Sequence, residues 1–188
     1  ADSGSAAYRG KDITGKPAHA IARAGIGRSF QQCRIFPRMT VLENMLVAVR
    51  TTKIRALLAS AQNKDEIERA HRWLRRVGIE HLETIEARNL SYGQQKLLEL
   101  AGVLMGDPDT IMLDEPAGGV NPALIGRIGA LVRELNAEGK SFLIVEHNMD
   151  RVMSLGRHGS VFDRGRPRTG GTPADTNAER RERGGDGG

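Results

Sequence analysis

Asn89-Leu-Ser-Tyr-Gly-Gln-Gln95 and, after an amphipathic run, Asp107-Pro-Asp-Thr-Ile-Met-Leu-Asp-Glu-Pro116 decide the reading of this chain. Ser91 with Gln94 three residues on is a capping box, so a helix is predicted over Gln94–Met105, with Leu97, Leu98, Ala101, Leu104 and Met105 facing inward. It ends at Gly106-Asp-Pro108. The apolar run Thr110–Leu113 is short enough for a buried strand. Its carboxyl end carries two adjacent carboxylates, Asp114 and Glu115. The start of the helix offers backbone N–H groups and a dipole to an anion, and Gly93 lets that backbone approach closely. A phosphate binder followed by a site for a metal and a water is the outline. The plainer reading is that Ser91 only caps a helix and that Asp114 and Glu115 only open a turn before Pro116.

The flanking segments extend the pattern. Asn121-Pro122 starts a helix, with Asn as N-cap and Pro in the first turn, running to about Asn136 and closing at Gly139. Ser141–Glu146 is the strongest strand, with His147 at its end; Glu146 reads as a strand-end surface residue. Gly159–Asp163 is a last strand, after a short helix at Asp150–Leu155. Upstream, Ser5–Arg9 is an edge strand, Pro17–Ala24 opens a helix, and Gly25–Phe30 leads into a strand ending at Gln31. Strand–helix–strand order calls for right-handed crossovers and a mostly parallel sheet with flanking helices, an α/β fold. Ligands of such sheets bind beyond the carboxyl ends of the strands, and Gln31, Asp114, Glu115 and His147 all fall there.

Residues 33–107 read as a helical lobe. Thr40-Val-Leu-Glu43 is a second capping box, opening a helix with Val41, Leu42, Met45, Leu46 and Val49 on one side. A further helix covers about Lys64–Val77, with Ile67, Ala70, Trp73, Leu74 and Val77 apolar, and stops at Gly78. Trp73 belongs to that stripe and reads as core. His71 and His81 lack partners at metal-binding spacing and read as surface. The remaining divisions are an α/β lobe of residues 1–32 and 108–165 and a polar, disordered tail of residues 166–188.

Composition narrows the class. Of 188 residues, 39% are hydrophobic but only 4% aromatic, so the core is aliphatic. The net charge of +5 comes from scattered Arg residues with a cluster in the tail, which is a solvated surface rather than a nucleic-acid stripe. Cys33 is the only cysteine, so an internal disulfide is impossible and a cytosolic location is compatible. No apolar run approaches the roughly 20 residues of a membrane span, and Ala1–Ser5 has no hydrophobic leader.

Taken together, Leu90-Ser-Tyr-Gly-Gln94, Ile111-Met-Leu-Asp-Glu115, Ala117–Asn121, His147 and Phe30-Gln31 resemble, in order and spacing, the signature, Walker B, D-loop, switch-histidine and Q-loop motifs of ATP-binding cassette (ABC) transporter subunits. Tyr92, Gln95, Asn121-Pro122, Ile26–Gln31 and Met39–Asn44 resemble the branched-chain amino-acid importers within that family. The resemblance implies a P-loop-NTPase-like nucleotide-binding domain with a helical subdomain, using ATP and Mg²⁺. It implies an ATPase that couples hydrolysis to import from the cytoplasmic side of the membrane, as a peripheral subunit. Its partners would be transmembrane permease subunits, a second ATP-binding subunit and, indirectly, a substrate-binding protein; no nucleic acid is implied. By position, Glu115 would be the general base, His147 would hold the γ-phosphate, and Gln31 would sense metal and water. Asp114 would orient Mg²⁺ through water; Ser91, Gly93 and Gln94 would face the partner's ATP; Asn121 would lie at the dimer contact.

One part of the family pattern is not met. Gly10-Lys-Asp-Ile-Thr-Gly15-Lys16 fits the start of G-x-x-x-x-G-K-S/T, but Pro17 stands where Ser or Thr must ligate Mg²⁺. Ser5–Arg9 is also a poor buried strand, so the segment reads as a decoy. The expectation is a cassette whose first strand and Walker A segment are missing. The alternative function is then a non-hydrolytic cassette that gives only its signature face to a heterodimer.

Overall fold

The computed structural model describes residues 4–29, 34–50, 60–116, 118–146, 159–163 and 166–171. Ala7–Tyr8 (β1) and Lys11–Asp12 (β2) form an antiparallel hairpin, followed by a six-residue helix, Ala18–Arg23 (α1). Gly10 therefore lies in the hairpin turn and Lys11–Asp12 in its exposed second strand, with residues 13–16 leading on to α1, so no buried strand precedes this segment as it would a phosphate loop. Ile26–Arg28 (β3) is next, then Val41–Arg50 (α2) and Ser60–Val77 (α3). Tyr92–Met105 (α4) leads into Thr110–Asp114 (β4), Pro122–Ala137 (α5) and Ser141–Val145 (β5). Gly159–Asp163 (β6) and Arg166–Gly171 (β7) close the described residues.

β3, β4 and β5 make a parallel sheet with β4 in the centre. Arg28 pairs in register with Met112, and Asp114 with Val145, so all three strands finish along one edge. β3 is shorter than its sequence suggests. It ends at Arg28, where the Ser29 N–H reaches Met112 O at 2.9 Å. Residues Phe30 and Gln31 lie outside the described residues, as do His147 and the expected helix at Asp150–Leu155.

α2, α3 and α4 each bury much of the stripe that the sequence marks, with Leu42, Leu46 and Ile67 half-buried, whereas α1 buries no residue. Val41 and Met45 of α2, Ala70, Leu74 and Val77 of α3, and Leu97, Leu98, Ala101, Leu104 and Met105 of α4 are buried together. They are continuous with Ile111 and Leu113 of β4 and with Leu124, Ile128, Leu131, Val132 and Leu135 of α5. One aliphatic core therefore runs from the helices into the sheet. The Thr40–Glu43 capping box forms as its spacing dictates, with bonds of 2.8 and 3.2 Å. Asn44 locks the preceding loop, accepting from Phe36 N and donating to Phe36, Met39 and Thr40 carbonyls.

α3 begins at Ser60, four residues before the start expected at Lys64. Trp73 is only half-buried, packed on the core with the Arg76 guanidinium 4.9 Å from its ring. Arg76 also binds Glu134 and Glu138 of α5 at 2.9 and 2.7 Å. Burial alone would lower the Arg76 pKa, but these two carboxylates outweigh it and raise it. His71 is not a bare surface residue: its Nδ1 faces Glu83 at 3.0 Å and Glu80 at 3.5 Å. The polar segment after Arg164 also departs from expectation. Arg166–Gly171 pairs antiparallel with β6 through a register shift at Val161/Phe162. Backbone pairing makes this strand, and it leaves no apolar periodicity in the sequence.

Candidate functional site

The site begins at the carboxyl edge of the sheet. Asp114 ends β4, and its N–H points at the Ser29 hydroxyl at 3.4 Å, beyond β3. Its Oδ2 meets Arg28 Nη2 at 3.2 Å. Glu115 follows, tied to the end of β5 by a 2.9 Å bond from its N–H to Val145 O. Its φ of +47° is a left-handed conformation in a residue that has a Cβ. Such a backbone costs on the order of 1–3 kcal/mol and persists only where the surroundings impose it, which is common at functional sites. Here the next turn imposes it: the Gly118 N–H bonds to Glu115 O at 3.0 Å.

The signature segment stands beside that turn. Ser91 caps α4: the Gln94 N–H reaches its Oγ at 3.4 Å, and the Ser91 N–H reaches Gln94 Oε1 at 2.9 Å. Ser91 is exposed, so its hydroxyl both caps the helix and faces solvent. Asn121 caps α5 through its side chain, which accepts from the Leu124 N–H at 2.9 Å. Gly93 has a packing reason as well as the one read from sequence: a Cβ there would lie 2.7 Å from Leu124 Cδ2. The two helix starts are thus pressed together.

Of the eight site residues read from sequence, Asp114, Glu115 and the cap of Asn121 fall on the strand edge and the loop that follows it. Ser91, Gly93 and Gln94 fall on the helix start packed against that loop. Gln31 and His147 lie outside the described residues, immediately after the segments that end β3 and β5. Arg28 and Ser29 join the site although nothing in the sequence reading singled them out. The available signal was a polar pair, Arg-Ser, closing a strand that is otherwise apolar and glycine. Glu146 differs from the surface residue expected: it is half-buried, with Oε2 shielded from solvent.

Between β3, β4 and the two helices lies a small cavity lined by Ser29, Lys96, Glu99, Leu100, Leu113, Pro116 and Ile128. Its free volume of about 20 Å³ admits one water, not a ligand. Lys96 and Glu99 are buried there on α4.

No group of three or more His, Cys, Asp or Glu that could hold a metal occurs among the described residues. A magnesium ion nevertheless fits this donor set in one way. Mg²⁺ is commonly held by one or two carboxylates with phosphate oxygens and water completing the shell. Asp114 supplies such a carboxylate, already sharing its charge with Arg28.

Comparison with known proteins agrees with this geometry. The family described as ABC transporter matches residues 1–118. The high-affinity branched-chain amino acid transport ATP-binding protein BraF of Pseudomonas aeruginosa is 38% identical over 87% of this chain and 68% of its own length. The corresponding protein LivG of Escherichia coli is 36% identical over 90% of this chain and 70% of its own length. The probable LivG of Archaeoglobus fulgidus is 41% identical over 88% and 66%. A nucleotide-free ATP-binding cassette from an ABC transporter superposes with a TM-score of 0.79 at 32% identity, covering 95% of this chain and 74% of that one. The ADP conformation of another ATP-binding cassette of an ABC transporter gives 0.78 at 34%, covering 91% and 70%. With a parallel sheet that brings Asp114 and Glu115 to its carboxyl edge beside a capped signature helix, this chain belongs to the ABC transporter family and has the fold of its ATP-binding cassettes.

Proposed function

We propose that this chain is the ATP-binding and ATP-hydrolysing subunit of an importer for branched-chain amino acids. The observation that carries the reading is the placement of Asp114 and Glu115 at the carboxyl edge of the central parallel strand, with the start of the signature helix packed on the loop behind them. The named relatives, all branched-chain amino-acid transport ATP-binding proteins, supply the substrate class.

In this reading two cassettes face each other and enclose two ATP molecules. Gln31 links the site to the permease, Asp114 would hold Mg²⁺ through water, and His147 holds the γ-phosphate. A Mg²⁺ held there would supply charge neutralisation to the phosphate oxygens. Glu115 takes the proton of the attacking water, or at least positions that water. The water oxygen bonds to the γ-phosphorus, and the bond to the bridging oxygen breaks with its electron pair leaving on ADP. Ser91, Gly93 and Gln94 serve the ATP held by the opposite subunit, and Asn121 lies at the contact between subunits. The α/β residues 1–32 and 108–165 carry the nucleotide chemistry, and residues 33–107 carry the signature face. The subunit sits on the cytoplasmic side of the membrane; no helix among the described residues is long and apolar enough to cross it.

A second reading rests on a specific observation. No G-x-x-x-x-G-K-S/T occurs within these 188 residues, and the nearest match begins in a hairpin. The chain would then lend its signature face to a partner that holds the phosphates. Two assays separate the readings: ATP hydrolysis by the 188-residue chain alone, and by the chain mixed with a complete cassette. The 188-residue chain alone is expected to turn over little ATP. A robust rate from it that Glu115→Gln abolishes would sink the signature-only reading. ATP-dependent association with the complete cassette, with no loss of rate on Glu115→Gln, would sink the hydrolytic one.

A further inference from the structure

The ring of Tyr92 meets two groups from different parts of the chain. One is Lys96, one helical turn along α4, with Nζ 5.7 Å from the ring centre. The other is Gly119, where a Cβ would come within 3.1 Å of Tyr92 Cε1 and 3.6 Å of Cδ1. Gly119 has φ of +69°, so the backbone there is in the left-handed region that glycine adopts without strain. The residue before it, Gly118, donates its N–H to Glu115 O at 3.0 Å. Gly118 is also close to the Glu115 side chain, since a Cβ on it would lie 3.7 Å from Oε2. The ring therefore bears on the turn that holds Glu115 in its left-handed conformation.

From these contacts we infer that Tyr92 is a positioning residue for Glu115. The ring braces Gly119, Gly119 fixes Gly118, and the Gly118–Glu115 bond sets the carboxylate beyond β4. Lys96 lies against the ring from the same helix; it is buried, at 6% exposure, and does not swing away as a surface lysine would. Tyr92 is 46% exposed, so the brace is a contact at the surface and not a core packing. The consequence for catalysis rests on the function proposed above: Glu115 serves this chain's own ATP, whereas Ser91, next to Tyr92, serves the partner's. The brace therefore ties the two nucleotide sites through one chain. The phenol oxygen has no part in it, so the ring alone is sufficient.

The test does not need nucleotide. Amide hydrogen exchange of the 188-residue chain is followed residue by residue in the parent, Tyr92→Phe and Tyr92→Ala. Phe is expected to leave the Gly118 amide as protected as in the parent. Ala is expected to speed its exchange about tenfold, while amides in the middle of α4, such as Leu100, keep their rates, as befits a local opening. Gly119→Ala, which sets a methyl against the ring, is expected to give the same local pattern. Unchanged Gly118 exchange in Tyr92→Ala, or an equal rise at Leu100, overturns the brace. In a hydrolysing mixture with a complete cassette, Tyr92→Ala is expected to lower kcat with KM unchanged and Tyr92→Phe to restore it; a change in KM alone overturns the link to Glu115. Absent hydrolysis with an intact exchange pattern would instead count against the proposed function and leave the brace standing.

Discussion

Arg28 Nη2 lies 3.2 Å from Asp114 Oδ2, across the pair of neighbouring strands β3 and β4. Parallel register makes this contact: Arg28 pairs with Met112, two residues before Asp114, and both strands end at the same edge. The pair is open to solvent, with the side chains 54% and 30% exposed, so its contribution to stability is small. Exposed ion pairs contribute about 0.2–1 kcal/mol. Its effect on ligands is more telling, because the arginine and a cation held by Asp114, as proposed, would draw on the same carboxylate. Arg28→Ala is expected to move the melting temperature little and to strengthen Mn²⁺ binding in the presence of ATP by about two- to fivefold, the factor equivalent to such a pair. A Mn²⁺ titration followed by electron paramagnetic resonance reads this. Unchanged or weaker metal binding would mean that the cation does not use Asp114.

Ser91 caps α4 and, in the proposed function, also faces the partner's ATP, and a single alanine substitution would confuse the two. Its Oγ takes the Gln94 N–H, so losing it costs the helix a cap worth about 1 kcal/mol. For a chain of this size that is a fall of roughly 2–4 °C in melting temperature. Ser91→Ala is expected to show that fall. Ser91→Asp keeps a capping oxygen and is expected to melt near the parent value. An aspartate places a negative charge where the partner's phosphate would sit, so Ser91→Asp is expected to abolish ATP-dependent association with a complete cassette. Association surviving in Ser91→Asp would reduce Ser91 to a cap.

Much of this was legible in the sequence because it is local. A capping box needs only four residues, so Ser91–Gln94 and Thr40–Glu43 could be read directly. Short apolar runs sufficed for β4 and β5. Arg28 and Ser29 were not legible, since their roles depend on which residues of β4 lie opposite, and a three-residue strand carries almost no register information. The same holds for Gly119, whose need for glycine is set by a ring 27 positions earlier in the chain. β7 escaped because Arg-Pro-Arg-Thr-Gly-Gly has none of the β-branched or alternating pattern of a strand and is paired only through its backbone to β6.

Gly78 ends α3 with φ of +71°, and an added Cβ would fall on Arg127 Nη2. That guanidinium donates to Val77 O at 2.8 Å, closing the helix from α5. Gly78→Ala therefore combines a left-handed alanine, about 1–2 kcal/mol, with loss or displacement of a hydrogen bond worth about 0.5–1.5 kcal/mol. The expected outcome of thermal unfolding is a fall of at least about 4 °C. Arg127→Ala, which removes only the hydrogen bond, is expected to fall by less. In the double variant the steric part is relieved, so its loss is expected to be smaller than the sum. Strict additivity would show that the two residues do not meet.

Asp12 offers a pH-dependent contact in the hairpin. It accepts the Thr14 N–H at 2.8 Å, and bonds from the Thr14 side chain first, and then from its backbone, hold the carboxyl below its ordinary range. A carboxylate depressed on folding stabilises the structure above the pKa of the unfolded chain, about 3.9 for aspartate. That stability is lost as the pH falls through the lower, folded value. The hairpin is therefore expected to stay closed at pH 5 and to loosen only in stronger acid, below the ordinary carboxylate range. The Thr14 amide shift, followed by NMR against pH, reads the transition. Asp12→Asn keeps an accepting oxygen without the charge and is expected to abolish this titration while leaving the Ala6 N–H bond to the Thr14 hydroxyl in place. A Thr14 titration that persists in Asp12→Asn would assign it to another group.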